Sequence, residues 1–591
     1  MKKRLLFPLS LLSILALIGC SSNPTPPDGT DPTYDYNQDI EVDDPEDIDV
    51  EETTDEFEIS SSDGTFSKTS SGYSITSAGT YSLKGKLEGQ ILVNAGENDE
   101  VVLELNGVSI SYDSDSPIKA ISGSKLEVSA KSGTENVIKD NRSAKTTEIE
   151  SQGEGAISAD IDLKLKGSGV LVVTGNYNNA IHTSDDLTIQ KLTLKATGYN
   201  NALKGKDSVT INSGTVQAYS LTGNGIKTDN SDLSSKGKQK GTISINGGSV
   251  YVDSLHDAID ASYDVVIDEL DSEAPTTVSI KTGKSSSSYS SSFKTDSEKG
   301  LKAANEITIN KGTIVIAASD DAIHANYGGA LENGSKGLGN ITVNDGLIEV
   351  ASGDDGLHAD NTLSIKGGKI VVTGATEGFE ANYINITGGY SYIYGTDDGV
   401  NCSKKSFNSC AFTMSDGYLD VAVKNGDTDG IDSNGNFTLT GGTIVTRGSP
   451  GTSGSGMSTG LDVDGTISMT GGTLIAFNGL EKSPSASSAI KYAGTSGANS
   501  GGGPGGPGGG GHGGPGGWGT SYAYGGSSYT FSSGNYTLSG DGLNVSFIND
   551  YNYGSFLIYS SSLTSGGTYT LSRNNSTILS WTQSSNSVTI Q

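Results

Sequence analysis

The chain reads as all-β, a right-handed single-stranded parallel β-helix of about 22 residues per coil with a C-terminal β cap; a recurring four-residue phrase is the first reason. The phrase is Asn, Asp or Glu, then Gly or Ala, then an apolar residue, then a polar one. Its copies begin at Asn179, Asn201, Asn224, Asp257, Asp321, Asp355, Glu377, Asp398 and Asp429, with degenerate copies at Lys299 and Thr459. Wider gaps, as between Gly225 and Ala258, hold Ser, Lys and Gly-rich loops such as Asp232 to Gly241. The second reason is what separates the copies: an alternating strand, a Gly-Gly or Asn-Gly turn, and another strand, as in Leu363 to Val372. Three short strands and three turns per repeat match one coil, whose inward aliphatic residues stack on those of the next. A β-sandwich would not keep so constant a period.

The elements follow in order. Residues 1–19 open with Lys2, Lys3 and Arg4, then an apolar run from Leu5 to Ile18, the length of a secretory h-region and too short to span a bilayer. Leu17-Ile18-Gly19-Cys20 turns this export signal into a lipoprotein signal, so Cys20 is the expected lipidation site and the only link to a membrane. Residues 20–58 carry five prolines and a dense acidic run, and are expected to be a disordered, self-repelling tether. Residues 59–482 are the expected β-helix, 483–521 a Gly, Pro and Ser-rich flexible insertion, and 522–591 a C-terminal β segment. An exported, lipid-anchored monomer at the cell envelope is the expectation.

Composition narrows the partners. A net charge of -31 argues against nucleic acid, whose phosphates require clustered Lys and Arg, and favours cations. With Cys20 used by lipid, Cys402 and Cys410 are expected to form a disulfide in an exported protein, with two buried thiols the alternative.

In a parallel coil stack, each phrase position becomes a column with a spacing of about 4.8 Å. The polar fourth residue points outward, giving His182, Lys204, Lys227, Asp260, Lys302, His324, His358, Glu380, Asn401, Asp432 and Asp462 in that order. Carboxylates at that spacing repel by about 3 to 4 kcal/mol at an effective dielectric near 20, so stacked acids must take up protons or share cations. Asp320, Asp321, Asp354, Asp355, Asp360, Glu377, Glu380, Asp397, Asp398, Asp427, Asp429 and Asp432 supply the hard oxygens Ca²⁺ prefers. Solvated turn carboxylates are the alternative. Asn179, Asn201 and Asn224 suit a side-chain hydrogen-bond ladder instead. Alternation sends Tyr390, Tyr392 and Tyr394 outward, and Tyr418, Tyr251 and Tyr219 are expected to follow, as flat platforms for sugar rings or as ordinary strand residues. His324 and His358 share the outward column beside them.

The phrases Asp320-Asp321-Ala322-Ile323-His324-Ala325 and Asp354-Asp355-Gly356-Leu357-His358-Ala359, the Gly-Gly turns, the late Gly-Pro insertion and the ending near Ser560 to Tyr569 resemble the calcium-dependent carbohydrate-binding β-helix domain, a relative of polysaccharide lyase family 9. The resemblance implies bound Ca²⁺, with the paired Asp residues as ligands, and binding of acidic or cellulosic polysaccharide without cleavage. A lyase, with Lys302 or Lys227 as base beside calcium, and a structural surface adhesin are the two alternatives.

Overall fold

The computed structural model describes residues 40–147, 152–271, 275–283, 297–332, 334–424, 426, 428–450, 458–482, 484–486, 489–495 and 529–590. The expected signal peptide, Cys20, Asp427 and most of the Gly-rich insertion lie outside them. The described residues contain no α-helix and are dominated by parallel strands.

Strands wind so that each pairs, in parallel and in register, with its equivalent one repeat away. Ile157 pairs with Ile181, which pairs with Leu203, which pairs with Ile226, and the ladder continues through Ile259, Leu301, Ile323, Leu357, Phe379, Val400, Ile431 and Leu461. All of these side chains are fully buried in one continuous apolar core. Two further ladders close the section of the solenoid, one through Leu187, Val209 and Ile243, the other through Leu194, Val216 and Val250. Burial of these aliphatic columns is the driving force, since no single repeat can cover its own apolar face.

Two glycine positions explain the phrase and the turn. A Cβ on Gly399 would lie 2.1 Å from Val421 Cγ1, so the second phrase position tolerates only the smallest side chains. Gly389 has φ +79°, and a Cβ there would lie 2.8 Å from Gly367, the turn glycine one coil earlier.

The last coils carry a separate cap. A four-stranded antiparallel sheet in the order Leu543–Asn549, Gly534–Gly540, Thr568–Arg573, Ser576–Thr582 packs Tyr536, Phe547, Tyr569 and Trp581 into a second apolar cluster shared with Val445, Ile475 and Phe477 of the last coils. The strand Phe556–Ser560 attaches it to the solenoid by antiparallel pairing with Thr473–Phe477. Arg447, wholly buried, locks the two together. It donates from Nε to Asn549 Oδ1 (2.7 Å) and from its terminal nitrogens to Val421 O (3.1 Å), Ile548 O (2.6 Å) and the Asp420 carboxylate.

Residues 40–57 depart from the expected disordered tether. They lie as an extended strap along the outer strand face, antiparallel to the winding. Ile40 packs against the apolar cluster shared by the last coils and the C-terminal sheet, Val42 is buried, Asp44 accepts from Tyr251 Oη (2.7 Å), Gln217 donates to Glu46 O (2.9 Å), and Thr53 N donates to Ser109 Oγ (2.9 Å). The acids that would repel one another in a free tether instead meet lysines and a phenol spaced along the coils.

Candidate functional site

One edge of the solenoid carries the fourth-position column, and the eleven residues stack in the order expected, from His182 on Lys204 to Asp432 on Asp462. The first-position column runs beside it. Asn201 Nδ2 donates to Asn179 Oδ1 (2.8 Å), and Asn224 N donates to Asn201 Oδ1 (3.0 Å), a ladder that caps each next coil's amide. The acids continue the same device: Asp355 N donates to Asp321 Oδ1 (3.0 Å), Glu377 N to Asp355 Oδ1 (3.3 Å), Asp429 N to Asp398 Oδ1 (2.8 Å), and Thr459 N to Asp429. One oxygen of Asp321, Asp355, Asp398 and Asp429 is therefore committed to backbone, while the second oxygen of Asp321 meets His324 and Lys299 and that of Asp355 meets His358.

The edge divides into three regions. Toward the N-terminus, Glu154, Asn178, Asn179, His182, Tyr199, Asn200 and Lys204 line a polar cavity of about 690 Å³. Burial, then the Lys204 charge, lowers His182 to about 4, so its imidazole is neutral; its Nδ1 is buried with no hydrogen-bond partner.

The middle region joins acids to bases. The rings of His324 and His358 stack at 4.4 Å with 9° between planes. Their Nδ1 atoms contact Asp321 Oδ2 (2.6 Å) and Asp355 Oδ2 (2.8 Å), and their Nε2 atoms face Asp360 Oδ1 at 3.6 and 3.3 Å. Burial opposes charge on His358, but hydrogen bonds to Asp355 and Asp360 outweigh it and raise its pKa to about 10. Burial raises Asp355 as well, with Glu377 adding to it. Burial would also raise Asp321 and Asp360, but the two histidines, and Lys299 for Asp321, hold both low. Carboxylate oxygens of Asp320, Asp321 and Asp354 lie within 4.8 Å of one another, as do the ligand atoms of Asp355, His358 and Glu380. Lys299 Nζ already sits 3.0 Å from Asp320 and pairs with Asp321, and Lys405 pairs with Glu380. These side-chain cations were missed in the sequence because both lysines lie outside the outward column that was read.

The third region is rich in acids, with Lys482 meeting Glu481 at its edge (3.6 Å). Asp398, Asp432 and Asp462 form no ion pair with a lysine or arginine among the described residues. Burial first, then neighbouring carboxylates, raises Asp398 to about 8, Asp432 to about 6 and Asp462 to about 8; Asp462 shares a hydrogen bond with Glu481. Asp462 and Glu481 belong with the candidate ligands, although the sequence reading did not place them there; the column arithmetic already put Asp462 next to Asp432. Asp397 is exposed at the rim. A separate acidic trio, Asp162, Asp185 and Asp186, was not foreseen.

Three expectations are corrected. Tyr390, Tyr392, Tyr394 and Tyr418 do point away from the solenoid core, but Tyr392 (6% exposed) and Tyr418 (4%) are buried under the C-terminal sheet, with Tyr390 and Tyr394 packed against the same cluster. Tyr251 (4%) lies under the strap. Alternation gives direction, not exposure. His324 and His358, expected on the outward column as carbohydrate contacts, are nine-tenths buried in the acid network. Cys402 and Cys410 are unbonded buried thiols, not a disulfide. Cys402 fills an inward position in the ladder Ala381, Cys402, Ser433, where a small apolar side chain is what the core requires.

A family model described as carbohydrate-binding domain-containing protein matches residues 69–335 and 327–483. The chain belongs to this family. A carbohydrate-binding domain-containing protein of Acetivibrio thermocellus is 34% identical over 202 residues, 33% of this chain, and the chain spans 65% of that relative's length. A solved structure titled as the polysaccharide lyase-like protein from C. thermocellum, a gadolinium derivative, is 34% identical and covers 37% of this chain and 85% of its own, with a TM-score of 0.33. As a carbohydrate-binding domain protein, the chain keeps its polar groove and its acidic rungs on the same edge of the solenoid.

Proposed function

We propose that this protein is a right-handed β-helix of about 22-residue coils that binds an acidic or cellulosic polysaccharide along its charged edge with the help of Ca²⁺, without cleaving it. The observation that supports this reading is the rung set Asp398, Asp432 and Asp462, carboxylates on neighbouring coils whose pKa values are raised by burial and by neighbouring carboxylates and which form no ion pair with lysine or arginine among the described residues, the nearest being that of Glu481 with Lys482 at 3.6 Å. A divalent ion would relieve the repulsion, and its remaining coordination positions would accept sugar hydroxyls or uronate carboxylates. In the middle region Lys299, His358 and Lys405 already supply part of the countercharge. The cavity around His182, with amide, phenol and imidazole groups converging, suits hydroxyl recognition on the same edge. Lipidation at Cys20 would hold this edge at the cell envelope.

A lyase reading is disfavoured by the state of its candidate bases. Burial works against the charge on Lys227, but Asp260 at 2.6 Å overcomes it and raises the pKa, so this amine is a poor proton acceptor. Lys302 is held by Asp257 at 2.8 Å. The test is to incubate the full chain with polygalacturonate or cellulose, with Ca²⁺ or with chelator, following retention and the absorbance of unsaturated products. Calcium-dependent retention without new absorbance is the expected result. Rising absorbance would make the protein a lyase, and no retention on either polymer would leave a structural adhesin.

A further inference from the structure

The strap covers a face unlike the rest of this acidic chain. Across the four strands Leu192–Gly198, Gly214–Ser220, Gly248–Ser254 and Thr276–Thr282, the charged side chains are Lys195, Asp253 and Lys281 alone, in a chain of net charge -31. The rest of the outward surface is Thr, Ser, Gln217, Tyr219 and Tyr251. The two tyrosine rings lie 5.7 Å apart, with Lys195 Nζ 5.8 Å from the ring of Tyr219. Hydroxyls, an amide, aromatic faces and two ammonium groups are what an acidic sugar chain needs from a surface.

What lies on that face is itself a polyanion. Asp44 takes a hydrogen bond from Tyr251 (2.7 Å) and pairs with Lys281 (2.8 Å), Asp47 pairs with Lys195, and Gln217 holds the Glu46 carbonyl (2.9 Å). The grip is light. The Asp44 and Asp47 side chains remain 77% and 71% exposed, and ion pairs so exposed contribute little to stability. Val42 is the one fully buried apolar side chain among residues 40–56.

We propose that this strand face is a second binding site for an acidic polysaccharide chain, and that residues 42–47 are its built-in competitor, making in cis the contacts a uronate ligand would make. This rests on the reading of the protein as polysaccharide-binding, but it needs no metal: carboxylate recognition here falls to Lys195, Lys281 and Tyr251. Because the strap is covalently attached, it competes at a high effective concentration, so short ligands are excluded and long, multivalent ones displace it.

The test uses the full chain and polygalacturonate at low salt with chelator present throughout, which silences the calcium-dependent edge. D44N/D47N, both at exposed positions, is expected to bind about tenfold more tightly than the unaltered chain, with the gain lost at high salt. Adding K195Q/K281Q to that variant is expected to abolish the gain, and uncharged cellulose oligosaccharide is expected to show none. Melting curves compared across the variants report their folding. Equal affinity of D44N/D47N and the unaltered chain would overturn the proposal, as would a gain that survives K195Q/K281Q. The calcium arm is read separately: calcium-dependent retention in all variants, with no effect of strap charge, would overturn this inference alone and leave the edge site standing.

Discussion

Replacing Arg447 by Met should unfasten the C-terminal sheet from the solenoid. The substitution keeps most of the aliphatic volume but removes donors to Asn549 Oδ1, Val421 O, Ile548 O and the Asp420 carboxylate, all in a buried setting. Asp420, 3% exposed, then keeps a hydrogen bond from Tyr418 Oη (3.0 Å) but loses its counter-charge. Breaking a buried ion pair from one side costs about 3 to 5 kcal/mol, because the remaining charge stays desolvated. A long solenoid does not unfold in one step, so global melting is the wrong assay. Amide hydrogen exchange in Gly534–Gly540 and Leu543–Asn549 reads the attachment directly, and 3 kcal/mol corresponds to exchange at least about 100-fold faster. The double variant R447M/D420L should recover much of the protection, since it removes the orphaned charge as well. Acceleration below about tenfold in R447M, or no recovery in the double variant, would refute the assignment of Arg447 as the lock.

Three further outcomes are expected. Without calcium, stability should fall as pH rises from near 4 toward 8: Asp398 and Asp462 are raised from 3.8 to about 8 in the folded state, so the folded chain binds more protons across that window. Millimolar Ca²⁺ should flatten the melting profile there, and D398N/D462N should reduce the slope, to which Asp432 and Asp355 also contribute, and with it the calcium effect. His358 adds stability that is fully present below its unfolded value of 6.5 and lost as pH rises toward about 10, and H358Q should reduce the alkaline part of the profile, which Asp355 shares. G389V should destabilise the local coils by several kcal/mol, as positive φ and the clash with Gly367 combine, and hydrogen exchange in Phe379–Gly395 should register it.

Much of the architecture was legible because the phrase period and the stacking period are the same thing. Eleven polar side chains came out in sequence order along one edge since an apolar neighbour forces each outward. The Asn ladder was legible for a related reason: an amide repeated at coil spacing has both a donor and an acceptor for its copies. What alternation could not report is what lies on top of a face. Tyr392 and Tyr418 were read as exposed, and the sheet that covers them comes from strands more than a hundred residues later. The countercharging lysines were hidden for different reasons: Lys299 holds the first position of a degenerate phrase, where an acid or amide stands in the other coils, and Lys405 lies on a loop after Cys402 that no period marks. The strap was misread because its composition is that of a free chain, and only the partners across the gap hold it in place.

The direction in which the strap lies also has a mechanical side. Its residue 40 end sits by the C-terminal sheet, and its other end feeds the strand Glu58–Ser61 at the opposite end of the rod. A pull on the chain ahead of residue 40 would therefore enter the strap at the end beside the C-terminal sheet. Tension on a rod held by its ligand would reach Ile40 first and peel the contacts at Asp44, Glu46 and Asp47 in succession, as a zipper opens, instead of loading them together in shear.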